Sequence, residues 1–143
     1  NNVHEDLSYF WDKLPQKLEV YESENPPDQD YEQLKKDYME LSLKAWLLSL
    51  SVRDKCGSEK TPLLYFYSRD CEDCIEQGEI LDNVRASGEV LVYTIDLNLD
   101  SEPVSIVREA YGIESTPAII IGEDSYQGLV SQARLLNAIR EAG

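Results

Sequence analysis

The sequence predicts an α/β fold, a central mixed sheet flanked by helices in the order β-α-β, α, β-β-α, behind an N-terminal helical extension. Three observations carry this. Apolar residues recur every three or four positions before Pro62, then gather into short continuous runs from Leu63 onward. Those runs alternate with helical stretches, and a helical crossover makes the first two strands parallel. The last two strands are separated by a tight turn, so one of them runs antiparallel.

Residues 4–20 read as a helix or a broken helix, with Leu7, Phe10, Trp11, Leu14 and Leu18 in step and Pro15 interrupting. Glu22 to Asp30, with its paired prolines, reads as a loop. Tyr31, Leu34, Tyr38, Leu41, Ala45, Leu48 and Val52 then form a long amphipathic helix. Its stripe is read as a face packed on the same domain and not as a coiled-coil seam, with Leu41, Trp46, Leu48 and Leu50 expected to be buried. Gly57 and Pro62 bracket a break. Leu63–Tyr67 is the first strand, Cys71 to Ala86 a helix, and Val90–Leu97 the second strand. Pro103 suits the first turn of a helix over 104–111, which Gly112 ends. Pro117–Ile121 and Ser125–Gln127 are the last strands, with a turn at 122–124, and Ser131–Ala142 is the final helix. The division expected is residues 1–55 as the extension, packed on the core, and residues 56–143 as the α/β domain.

The net charge of −15 argues against nucleic acid as a partner, because phosphates reward Lys and Arg. It argues equally against an anionic membrane surface. No run approaches the roughly 18 apolar residues of a membrane span. The chain begins at Asn1, so an upstream signal peptide, anchor or tag stays open, and membrane contact is expected only through such an anchor. The compartment stays open too, with an extracytoplasmic placement slightly favoured.

Three cysteines are present, Cys56, Cys71 and Cys74. Cys71-Glu72-Asp73-Cys74 follows a buried strand and opens a helix. The first helical turn offers free N–H groups and the positive end of the dipole, which stabilise a thiolate at Cys71. Cys74, one turn on, lies within disulfide reach and is shielded by the helix, as suits a resolving thiol. A zinc site needs about four ligands, and His4 is the single histidine, so no metal is expected.

With Ser115-Thr116-Pro117 ahead of the strand Ala118–Ile121, residues 63–143 resemble the thioredoxin family over nearly the whole core. The resemblance implies a thiol–disulfide oxidoreductase acting on protein disulfides, with Cys71 and Cys74 catalytic and no cofactor. It implies a cis Thr116–Pro117 bond beside the cysteines, with both residues binding the partner peptide. It also places Tyr65 where that family has a buried proton-transferring acid. Where thioredoxins usually have Trp before the first cysteine and Gly-Pro between the two, this chain has Asp70 and Glu72-Asp73.

Six acids and no base lie between Asp70 and Asp82. Asp70, Glu72 and Asp73 are expected to raise the Cys71 pKa and give a reducing poise. They are also expected to favour basic protein partners. The alternative function is a non-catalytic interaction module with a structural or vestigial disulfide. Cys56 is expected to be a bystander, and the oligomeric state is left open.

Overall fold

The computed structural model describes residues 22–26, 28–56 and 60–142, without the side chains of 53–56. The stretch 4–20, Gly57 and the Cys56 side chain lie outside the described residues.

The elements are α1 (Gln29–Cys56), β1 (Thr61–Tyr67), α2 (Glu72–Arg85), β2 (Val90–Asp96), α3 (Glu102–Tyr111), β3 (Ala118–Ile121), β4 (Asp124–Gln127) and α4 (Gln132–Ala142). The sheet order is β2-β1-β3-β4. β1 runs parallel to β2 and antiparallel to β3, and β3 pairs antiparallel with β4. Helices α1 and α3 cover one face, α2 and α4 the other. All seven residues of β1 are buried, as a central strand covered on both faces requires.

Pro62 lies inside β1 and not in a break. The β3 ladder begins only at Leu63↔Ile121, so the missing N–H of Pro62 falls where β1 has one neighbour. Residues 22–24, expected in a loop, form a helical turn, and α1 starts behind Asp28, whose carboxylate accepts from the Tyr31 N–H at 3.0 Å. Ser101 caps α3, and Gly112 ends it in the left-handed conformation (φ 65°), which glycine adopts without steric cost.

Of the residues expected to be buried on helix α1, Trp46 is buried and Leu50 half-buried, but Leu41 and Leu48 are exposed, because the helix turns a face centred on Met39, Leu43 and Trp46 to the sheet. Met39, Leu43 and Trp46 are buried, with Leu50 half-buried, whereas Leu34, Leu41, Leu48 and Val52 are 65%, 41%, 65% and 44% exposed. At about 100° per residue the two rows lie on opposite sides of the helix. The sheet can cover only one, and it covers the side with the bulkier Trp and Met, each contributing roughly 1.5–3 kcal/mol by burial. Trp46 meets Tyr111 of α3 edge-on, with centroids 6.1 Å apart.

The same side carries a buried ion cluster. Lys35 Nζ lies 2.6 Å from Asp96 Oδ2 and 2.8 Å from Glu22 Oε2, and 5.4 Å above the Tyr67 ring. Tyr67 and Tyr31 both donate to the Glu22 carboxylate. Burial first, then Glu22, pushes both phenols above the ordinary value of about 10. The unfolded chain therefore loses these protons first as pH rises, and stability declines above about pH 10. Urea unfolding at pH 8 and pH 10.5 is expected to register that decline, smaller in Tyr67→Phe. An equal decline in the variant would assign it to other groups.

Candidate functional site

β1 delivers the chain at Tyr67 to a short loop, Ser68 to Cys71, that opens α2. Asp70 adopts a left-handed conformation (φ 56°), uncommon outside glycine, although Asp tolerates it better than most residues. That bend sets Cys71 as the N-cap of α2, with its Sγ accepting from the Cys74 N–H at 3.1 Å. Cys71 and Cys74 form a disulfide, S–S 2.06 Å with Cα atoms 5.2 Å apart. Cys71 is partly exposed and Cys74 is fully buried, so one sulfur of the pair can be reached from outside.

The Thr116–Pro117 bond is cis, and the loop that contains it lies against the Cys71 sulfur. Thr116 Oγ1 lies 3.7 Å from Cys71 Sγ and 2.6 Å from Ser68 Oγ. Pro117 is buried, and its carbonyl accepts from the Gly128 N–H. Gln127 steadies the approach: its Oε1 accepts from the Glu114 and Ser115 N–H groups and its Nε2 donates to the Gly112 carbonyl. Below the disulfide, the buried Tyr65 hydroxyl donates to the Cys74 carbonyl at 2.8 Å, so this position holds the backbone of the second cysteine.

Ser23, Ser68, Asp70, Cys71, Glu72 and Ile75 line a groove of about 270 Å³ beside the disulfide. Ser23 reaches it from the segment before α1. Arg69 fastens that segment, donating to the Glu22 carbonyl at 2.8 Å and pairing with Glu32 at 2.8 Å. Asp70, Glu72 and Asp73 are all exposed, so water and salt screen their effect on the sulfur. Donors aimed at a charged acceptor are the stronger local influence, about 1.5–3 kcal/mol each.

Of the expected residues, Asp70 and Cys71 thus lie in the loop that opens α2, Glu72, Asp73 and Cys74 in the first turn of α2, and Thr116 and Pro117 in the loop before β3, which touches Cys71 through Thr116. Ser23, Ser68 and Arg69 were missed. No spacing rule links Ser68 to Thr116 or Arg69 to Glu22, because the contacts join segments more than forty residues apart.

The fold agrees with solved structures. The chain superposes on a chloroplastic thioredoxin z with a TM-score of 0.51 and 20% identity, covering 66% of this chain and 87% of that one. A variant thioredoxin from Halobacterium salinarum gives 0.51 and 19%, covering 62% and 80%. This chain has the thioredoxin fold. No protein-family model and no curated protein matches it by sequence. In this chain α1 stands ahead of β1, and Ser23, from the segment before that helix, lines the groove beside Cys71.

Proposed function

We propose that the protein is a thiol–disulfide oxidoreductase that reduces disulfides of protein substrates, with residues 56–143 as the redox unit and residues 1–55 as its extension. The observation that carries the reading is the asymmetric pair, a reachable Cys71 sulfur at a helix N-cap bonded to a buried Cys74. In the reduced protein the Cys71 thiolate attacks a substrate disulfide sulfur. A mixed disulfide forms and one substrate thiolate leaves. Cys74, deprotonated, then attacks Cys71 Sγ, the second substrate thiolate leaves, and the Cys71–Cys74 bond re-forms. Two electrons pass to the substrate, both leaving thiolates take up protons, and an external dithiol recharges the pair.

Thr116 and Pro117 border the site where the substrate strand lies. The acids at Asp70, Glu72 and Asp73 favour a reducing poise and basic substrate segments. With dithiothreitol as donor, wild type is expected to reduce a protein disulfide and Cys71→Ser to have no activity above the uncatalysed rate. Equal rates for both would leave an interaction module as the reading. The preference for basic over acidic peptide disulfides is expected to shrink between 50 and 500 mM salt. A salt-independent ratio would remove the acids from substrate selection.

A further inference from the structure

We propose that Ser68 is a positioning residue whose hydroxyl acts through Thr116 to stabilise the Cys71 thiolate. The inference deepens the reading of Cys71 as the attacking thiol and rests on it.

The geometry allows one chain of hydrogen bonds that ends on the sulfur. Cys71 Sγ, in a disulfide or as a thiolate, has no proton to give, so at 3.7 Å it accepts from Thr116 Oγ1. Thr116 has a single hydroxyl proton. With that proton directed at sulfur, its oxygen is free to accept, and in the proposed chain Ser68 is the donor across the 2.6 Å contact, which by itself admits either direction. A donor that itself accepts a hydrogen bond is polarised and donates more strongly. Ser68 also lines the groove with Cys71. The sulfur accepts in addition from the Cys74 N–H at 3.1 Å. The two donors approach from different elements, one from α2 and one from the loop before β3.

The charged groups around the sulfur work the other way. Asp70 and Glu72 line the same groove, and Asp73 follows on α2. No basic residue lines the groove among the described residues. Hydroxyl donors are therefore the side-chain groups placed to favour the thiolate. Stabilising the reduced thiolate raises the potential, so the Ser68–Thr116 pair limits how far the acids drive the site towards strong reducing power.

The test uses the full chain. The Cys71 thiolate is titrated by its ultraviolet absorbance in Cys56→Ser background, and the dithiol–disulfide equilibrium is measured against a glutathione buffer. Thr116→Val is expected to raise the Cys71 pKa and to shift the equilibrium about tenfold towards the disulfide, roughly 30 mV lower. Ser68→Ala is expected to shift it about threefold the same way, roughly 14 mV. Ser68→Thr, which keeps the hydroxyl, is expected to restore wild-type values. In a Thr116→Val background, Ser68→Ala is expected to change nothing further. An undiminished Ser68→Ala effect in that background, or no effect in either, overturns the proposal. These readouts need no substrate. If they behave as expected while protein disulfides are not reduced, the reading as a reductase fails and the hydrogen-bond chain stands.

Discussion

Cys74→Ser is expected to convert turnover into capture. Cys71 can still attack a substrate disulfide, but the buried second sulfur that would release the product is gone. Steady-state reduction should fall on the order of 100-fold or more, because the resolving step is lost. The substrate should accumulate on the protein as a mixed disulfide, visible as one added mass in intact-protein mass spectrometry and removed by dithiothreitol. The Cys71→Ser, Cys74→Ser double variant should capture nothing. Capture that persists in the double variant would place the reactive thiol at Cys56. Full turnover by Cys74→Ser would remove the two-cysteine mechanism.

Lys35→Met is expected to be the most damaging single substitution outside the apolar core. Met fits the volume of the Lys stem, so the loss reports charge and not a cavity. It strands two carboxylates, Glu22 and Asp96, whose shared counter-ion is the 0%-exposed ammonium of Lys35. Breaking a buried pair from one side costs about 3–5 kcal/mol. At about 3–4 °C per kcal/mol for a chain of this size, the melting temperature should fall by roughly 9–20 °C. Replacing all three, with Glu22→Gln and Asp96→Asn alongside Lys35→Met, should recover part of the loss. If Lys35→Met melts within about 2 °C of wild type, the cluster carries no such charge penalty.

The cluster also bears on the site. Glu22 immediately precedes Ser23, which lines the groove at Cys71, and Arg69 binds the Glu22 carbonyl from the loop that ends in the disulfide. The ion pairs with Lys35 therefore anchor one wall of the groove to α1 and β2. This is a link from packing energetics to the shape of the site, and it depends on residues that look ordinary in the sequence. Lys35 reads as a solvated helix position and Glu22 as part of a polar loop, since Lys and Glu are almost never fully buried unless paired. Their pairing partners are distant in the chain, and pattern reading finds only neighbours along it.

Much of the site was legible because its parts are local. A cysteine pair three residues apart, directly after an apolar strand, fixes the helix N-cap, the disulfide reach and the difference in exposure by backbone geometry alone. The order of strands and helices was legible for the same reason. The period of the apolar residues is a property of each segment, and parallel pairing follows from the crossover between β1 and β2. The packing face of α1 was legible only in part: Trp46 and Leu50 turn inward as expected, Leu41 and Leu48 do not. Leu34, Leu41 and Leu48 repeat more regularly than Met39, Leu43 and Trp46, yet the sheet takes the second row, because burial rewards area and shape against a specific partner surface and not regularity of spacing. The hydrogen-bond chain from Ser68 through Thr116 to Cys71 likewise exists only once two loops, 48 residues apart, close over one sulfur. Sequence alone located the cysteine pair and the helix that opens at it. The tertiary structure decided which donors, walls and counter-ions surround them, because those groups come from segments that meet only in the folded chain.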